Sequence, residues 1–463
     1  MPKLDHLKSF SSHCRKFNNC SPIKILLVTR VIPVENSTGA RAYLIDFLSY
    51  LKTFGFEIEL ALLDSSPGGK SPVFMTSSKI LNLCKISLKN NYRLGRFLFR
   101  FESFLDLFAM PFGLLYYLLP NSKRDIYRNL CYSTLGITSS FFSNHHTIVK
   151  EKPQIKDKLA SPSEKAFVRT CVENFRPQII IINYAWLSGV LDVLPMKKTI
   201  LKILLTHDII HKRVKSAENF YAHWDYSTWD SKKESSLLQK ADILLAIHED
   251  DAKVLKSMAP MTEVICMPIS AELHTQSFEQ IPGRCLFVGS KGETNVHGLK
   301  WFLTHVWPSI LNSVPHCSLH VCGTVCSKIR GSFPNVTLMG RIDDLGPEYS
   351  AAEVCLVPLH FGSGLKIKLI EALSYGRACV STSIGLQGLN DIKDKIVLMA
   401  DTTEDFASAV IMVLTNKAFR NYMAHEAEKF VREKFSPKAV YQPFVDRIYD
   451  HLCKIDKLTV VDV

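Results

Sequence analysis

The chain lacks several features that would each point to a chemistry. Among its thirteen cysteines there is no C-x-x-C pair. The nearest approach, Cys322 and Cys326 in CGTVC, has no second pair and no histidine cluster beside it, which argues against a zinc site. Most cysteines lie in apolar runs, where they act as small hydrophobes. Their odd number in a long chain suggests reduced thiols in a cytosol. The first nineteen residues contain no apolar core of the signal-peptide kind. Nowhere do about eighteen uncharged apolar residues follow one another, as a membrane-spanning helix needs. The closest stretch, Leu107–Leu119, is broken by Pro111 and Gly113. Finally, acidic residues are missing between Lys70 and Arg100, a segment with seven basic ones.

What is present is ordinary in bulk. At 47% hydrophobic and 22% charged residues, 463 residues bury a large core in two or three domains. The net charge of +12 favours anionic partners: phosphorylated small molecules, acidic lipid or nucleic acid. No basic-aromatic module of the nucleic-acid type accompanies the charge, so nucleic acid is not an expected partner.

The periodicity predicts two α/β units. IKILLVT (Ile23–Thr29) is an apolar strand, ENSTGAR a loop, Ala40–Phe54 a helix with Leu44, Phe47, Leu48 and Leu51 on one face, and FEIELALLD a second strand. Residues 65–178 read as mostly helical. The strand rhythm returns at PQIIIINY, TILKILLTHD, ADILLAI and EVICMPIS, lapses between 268 and 284, and restarts at RCLFVGS, SLHVCG, VTLMGR, VCLVPL and RACVSTS. The expected fold is therefore α/β, with two Rossmann-like doubly wound domains facing across a cleft. The expected organisation is an N-terminal extension (1–20), a first domain (21–268) with a helical insertion (65–176), a linker (269–283), a second domain (284–435) and a C-terminal helix (436–463) crossing back to the first domain.

Ligands of such sheets bind beyond the carboxyl ends of the strands, so the loops there matter most. HFGSGLKIKLIEALSYG, His360–Gly376, reads as a helix over Leu365–Tyr375 entered through a Gly-Ser-Gly turn, with Lys366 and Lys368 in its first turn. Cations at a helix N-terminus oppose the helix dipole. Either these are solvated surface lysines, or the free backbone N–H groups and both lysines await an anion, such as a diphosphate. Glu371, three residues beyond Lys368, could pair with it or accept hydrogen bonds from ribose hydroxyls. His207 ends an apolar strand beside Asp208, with His211 following; it is either a structural histidine or a residue of the cleft. SSPGGKSP (Ser65–Pro72) imitates a P-loop, but the first glycine would fall at Asp64, and Pro72 breaks the helix that a P-loop requires. The basic segment from Lys70 and the aromatic run to Tyr117 read either as helices packed on the domain or as a surface for an anionic membrane.

The run FVGS…N…G…WFL…VWPSIL through GRIDDLGPEYSAAEVCLVPLHFGSGLKIKLIEALSYGRACVSTSIGLQGL resembles the retaining GT-B glycosyltransferases of family 4, in the branch with a G-S-G-x-[KR]-x-K-x-x-E-A motif. The resemblance covers residues 284–415 well and 23–64 and 177–270 moderately. It implies a nucleoside-diphosphate-sugar donor held by the second domain. Glu371 would bind the ribose. Ser363, Gly364, Leu365, Lys366 and Lys368 would hold the diphosphate. Gly289, Ser290 and the loop to Asn295 would sit by the phosphates. Arg341 and Ile342 would flank the base, and Gly39 would approach from the first domain. His207 would line the cleft with Asp208 on the acceptor side, without serving as a general base. It further implies a glycan or lipid-linked acceptor, and no cofactor beyond the donor as co-substrate. Two departures stand out. Ser363 occupies a position where much of the family has glutamate, and Ser290-Lys291 replaces an Arg and a Lys after the first strand of the second domain. The chain contains no Asp-x-Asp, the usual carboxylate pair for a divalent cation, so fixed cations and a helix start would stabilise the leaving diphosphate without a metal. Isomerase or phosphorylase activity on the same fold, and a non-catalytic binding subunit, are the rivals; nothing suggests a pyridoxal lysine.

Overall fold

The computed structural model describes residues 22–31, 33, 40–63, 73–76, 78–89, 91–100, 104–120, 123–124, 126–127, 130, 159–194, 200–212, 229–274, 279–362 and 364–461. The strands in chain order are β1 (Lys24–Thr29), β2 (Glu57–Leu62), β3 (Val73–Met75), β4 (Lys85–Leu88), β5 (Asn91–Leu94), β6 (Phe97–Arg100), β7 (Ile179–Asn183), β8 (Leu201–Leu205), β9 (Ile243–Ala246), β10 (Glu263–Cys266), β11 (Arg284–Val288), β12 (Ser318–Cys322), β13 (Val336–Gly340), β14 (Val354–Val357), β15 (Ala378–Ser381) and β16 (Val397–Met399).

Two all-parallel sheets form the frame. The first has the order β10-β9-β8-β7-β1-β2-β4, the second β13-β12-β11-β14-β15-β16. Their central strands, such as β7, β9 and β14, are buried along their length because helices cover both faces, while the edge strand β13 is largely exposed. In β1, Ile25 and Leu27 join one core with the helix Ala40–Thr53, while Leu26 and Val28 join the opposite core with the helix Pro162–Phe175. This is the period of two expressed in packing. In both sheets the strand order reverses beside the first strand, so the loops after β1, β8, β11 and β14 lie at the carboxyl ends where ligands bind.

The reading of 65–178 as mostly helical missed four short strands. Val73–Met75, Asn91–Leu94 and Phe97–Arg100 build a three-stranded antiparallel sheet, and Lys85–Leu88 extends the edge of the first sheet. Strands of three or four residues are too short for periodicity to separate from a helix. The helices Ser78–Leu83, Phe104–Leu118 and Pro162–Phe175 lie in the same region. Between the helices Glu293–Trp301 and Trp307–Ser313 lies a π turn at Phe302–Val306, where Trp307 N–H bonds back to Phe302 O. Pro308 has no N–H to continue the regular ladder there.

The segment after β10 is tied to the second sheet's helices: Ala271 N–H donates to Phe435 O, His274 N–H to Ser374 O and Gly283 N–H to Glu353 Oε2. The closing helix, Pro437–Val461, returns to the first sheet. Tyr441, Phe444, Val445 and Ile448 are buried in the core beneath the helix Ala40–Thr53, and Tyr50 donates to Gln442 across that contact at 2.8 Å. The ten described cysteines are free thiols, most of them buried. Among the described residues no helix is long and apolar enough to cross a membrane.

Candidate active site

The first group of side chains sits at the end of β11 and on the helix that follows β14. This helix starts at Ile367, two residues later than the sequence reading, so that Lys366 takes the N-cap position with extended backbone and Lys368 alone lies in the first turn. Lys368 Nζ donates to Asn295 Oδ1 at 2.6 Å and lies 4.4 Å from the centre of the Phe287 ring. Asn295 in turn donates through Nδ2 to Ser290 O and Ser290 Oγ, both at 3.1 Å. Three of the expected residues are thus joined, Lys368 reaching Asn295 across 73 positions of sequence. Gly289 precedes this cluster; a side chain there would press on Phe287 at 2.8 Å and on Asn295 at 3.2 Å, so the backbone comes close only because the residue is glycine.

Burial pulls the Lys368 ammonium down to about 7, more than the nearby Glu371 carboxylate raises it, and Lys366 down to about 8. Lys366 Nζ donates to Gly364 O and, at 3.4 Å, to Gln387 Oε1. Glu371 lies one turn deeper. Burial raises its carboxyl, opposed by the hydrogen bond from Tyr349 Oη at 3.0 Å and by Lys368. Tyr349 stacks on Tyr375 (5.1 Å between ring centres) and Tyr375 on His274 (3.9 Å), so three rings running from the linker hold the Glu371 partner in place. Nothing in the sequence signals this stack, since its members lie in three separate elements. Ile342 packs against the same core, whereas Arg341 is half exposed and 3.8 Å from Asp343.

The second group belongs to the first sheet. His207 follows β8. Asn183, at the end of β7, gives its amide hydrogens to Thr29 Oγ1 at 2.8 Å and so turns Oδ1 toward His207 Nε2 at 2.7 Å. That contact makes Nε2 the protonated nitrogen and leaves Nδ1 an acceptor. Burial lowers the imidazole to about 3, so it is neutral at physiological pH. The rings of Tyr184 and Tyr43 lie 4.4 and 5.4 Å from it. Tyr184 has φ of 78°, a left-handed backbone that non-glycine residues rarely adopt and that tends to cluster at functional sites. Asp208 is partly exposed at the same strand end. Arg41, which sequence reasoning missed, opens the first helix beside Tyr184; burial lowers its guanidinium. Among the described residues it has no hydrogen-bond or ion-pair partner.

The two groups meet. Gly364 has φ of +73°, and a side chain there would stand 3.4 Å from Ile247 Cδ1 and 3.7 Å from His207 O. Leu365 and Ile367 pack on the core of the first sheet. Gly388 lies against His248 in the same way. The lysine-bearing loop thus closes onto the strand end that carries His207. Gly39 and Ser363, both expected here, lie outside the described residues.

Known proteins share the fold and part of the sequence. The sequence model of the family described as "Glycosyl transferases group 1" matches residues 282–416. A protein described as an uncharacterized 44.6 kDa protein in the cps region of Klebsiella pneumoniae is 24% identical over 187 residues, which is 38% of this chain and 48% of that one. The chain therefore spans about half the length of the curated relative that it matches. Sucrose-phosphate synthase from Thermosynechococcus elongatus superposes with a TM-score of 0.60 at 15% identity, over 94% of this chain and all of that one. S. aureus TarM, solved with fondaparinux, alpha-GlcNAc-glycerol and UDP, gives 0.58 at 11% identity over 92% and 99%. WaaG, a glycosyltransferase involved in lipopolysaccharide biosynthesis, gives 0.52 at 12% over 92% and 98%. The chain has the GT-B fold, and its second sheet matches the group 1 glycosyltransferase domain.

Proposed function

We propose that this protein is a glycosyltransferase of the hexosyltransferase type, moving a sugar from a nucleoside-diphosphate donor to a glycan or lipid-linked acceptor with retention at the anomeric carbon. The acceptor class points to surface polysaccharide or glycolipid synthesis at the cytoplasmic side of a membrane. The observation that supports it most is the Ser290–Asn295–Lys368 cluster at a helix start, with Glu371 one turn deeper.

In this reading the diphosphate lies on the backbone at Gly289–Ser290 and Gly364–Lys366, against Lys366 and Lys368. Glu371 accepts the ribose hydroxyls. As the anomeric C–O bond breaks, its electron pair passes to the diphosphate oxygen. The two ammonium groups and the helix start stabilise that charge where it develops, in place of a divalent metal. The acceptor hydroxyl attacks the anomeric carbon, and its proton leaves with the diphosphate. His207, neutral and with Nε2–H fixed by Asn183, orients hydroxyls of sugar or acceptor without taking up a proton.

A thermal-shift panel of nucleoside-diphosphate sugars, followed by release of free nucleoside diphosphate in the presence of a chelator, tests the reading; a bound donor raises stability by mass action. Slow hydrolysis of one donor, insensitive to the chelator, is expected. Failure of a full panel to bind or turn over would refute it. Binding of a donor without turnover by any acceptor class would favour a non-catalytic GT-B subunit, the reading that Ser363 in place of a family glutamate supports.

A further inference from the structure

The unit inserted between β2 and β7 presents its apolar side chains outward. On the helix Phe104–Leu118 the exposed described positions are Leu107, Phe108, Pro111, Leu115 and Leu118, at the spacing of one helical stripe. Leu115 is 46% and Leu118 65% exposed. No charged residue interrupts 107–119. Soluble helices bury such a stripe, and this one packs its other side toward β3 instead. β3 pairs with β6, and β6 with β5, whose hairpin tip shows Tyr92 at 72% and Leu94 at 73% exposure. Arg93 and Arg96 are exposed at the same tip. Isolated surface leucines need no explanation; a continuous apolar stripe and an apolar hairpin tip in one unit do.

We propose that this unit is a docking surface for an anionic lipid bilayer, with the helix stripe and the Tyr92–Leu94 tip entering the interface and the surrounding basic groups facing lipid phosphates. Charge complementarity selects the occupant. The segment from Lys70 to Arg100 holds no acidic residue, and Lys79, Arg93 and Arg96 are exposed on it, whereas Lys89 is buried and Lys85 pairs with Glu59 at 3.1 Å; Lys123 and Arg124 follow the helix. A second copy of the chain would set these cations against each other, whereas an acidic bilayer meets both features at once. The proposal stands independently of sugar transfer, because binding is read without donor or acceptor.

The test is co-sedimentation of the full chain with phosphatidylcholine vesicles, with and without phosphatidylglycerol, and without nucleotide. Binding is expected only to the anionic vesicles, weakening with salt. The double variant Leu115→Ser/Leu118→Ser should lose about tenfold for each leucine that reaches the hydrocarbon, and Arg93→Glu about fivefold or more. All these positions are exposed, so the variants should keep the unfolding temperature of the parent, which verifies the fold. Three outcomes would overturn the proposal: no binding to anionic vesicles, equal binding by folded variants, or leucine variants that dissolve a dimer in size-exclusion chromatography while the parent ignores vesicles.

Discussion

Lys368 is the residue on which most depends. Its ammonium is held to about 7 by burial and touches a neutral amide oxygen, so it carries only part of a charge at neutral pH. A diphosphate would draw a proton onto it and onto Lys366. Nucleoside-diphosphate binding should therefore take up protons, and affinity should fall as pH rises from about 7 through 8. Calorimetry in two buffers of different ionisation enthalpy measures this; equal apparent heats would contradict it. The stability of the unliganded chain moves the other way. A folded-state value below the unfolded one, about 10.4, means that the unfolded chain binds more protons, so stability rises with pH between about 7 and 10 through this group. Lys368→Met should accordingly raise the unfolding temperature without ligand, yet weaken diphosphate binding by about ten- to a hundredfold, the loss of a charge-assisted hydrogen bond worth about 1.5–3 kcal/mol. Binding of the free nucleoside should barely change. Much of this was legible. Lys366, Lys368 and Glu371 share one local helix start, and local spacing is what a sequence displays. That Asn295 would be the partner of Lys368 was not, because only the packing of one loop against another joins positions 73 residues apart.

At the scale of elements, two supports decide how well that helix start holds its shape. The loop before it depends on Gly364, whose left-handed backbone disfavours a side chain, although one would meet Ile247 and His207 only at ordinary contact distance. Gly364→Ala should cost about 1 kcal/mol or more through the positive φ alone. Because the loop touches the other sheet, it should also weaken donor binding, as thermal shift with and without nucleotide would show. The second support is the ring stack. His274→Ala removes the outermost ring, with an expected loss of about 0.5–1.5 kcal/mol. Nucleoside affinity should drop several-fold although His274 belongs to the linker and not to the helix that carries Glu371; unchanged nucleoside affinity in a titration would show that the stack does not position that carboxylate. The elements misread from sequence are instructive here. The strands of the inserted unit are three or four residues long and paired antiparallel, and so short a run gives no period to read. The strands Lys24–Thr29 and Ile179–Asn183 were plain because their runs Ile25–Val28 and Ile179–Ile182, buried on both faces, are apolar at every position.

At the scale of the whole molecule, the closing helix is what binds the last residues of the chain to its first sheet. Phe444 is fully buried there, 5.4 Å from Phe47 between ring centres. Phe444→Ala should cost about 3–5 kcal/mol, seen as a lower denaturation midpoint, although the residue is remote in sequence from the core it fills. The sequence by itself determined the α/β class, the two-sheet plan, the likeness of residues 284–415 to one family, and the placing of Lys366, Lys368 and Glu371 at one helix start, because these follow from periodicity and from charges placed on a single element. Only the tertiary structure decided the tautomer of His207, the Lys368–Asn295–Ser290 cluster, the ring stack under Glu371 and the outward apolar stripe of the helix Phe104–Leu118. Each of these is set by which surfaces meet and which are left facing solvent. Such contacts join residues far apart in sequence, and they form only when the sheets, linker and helices have packed.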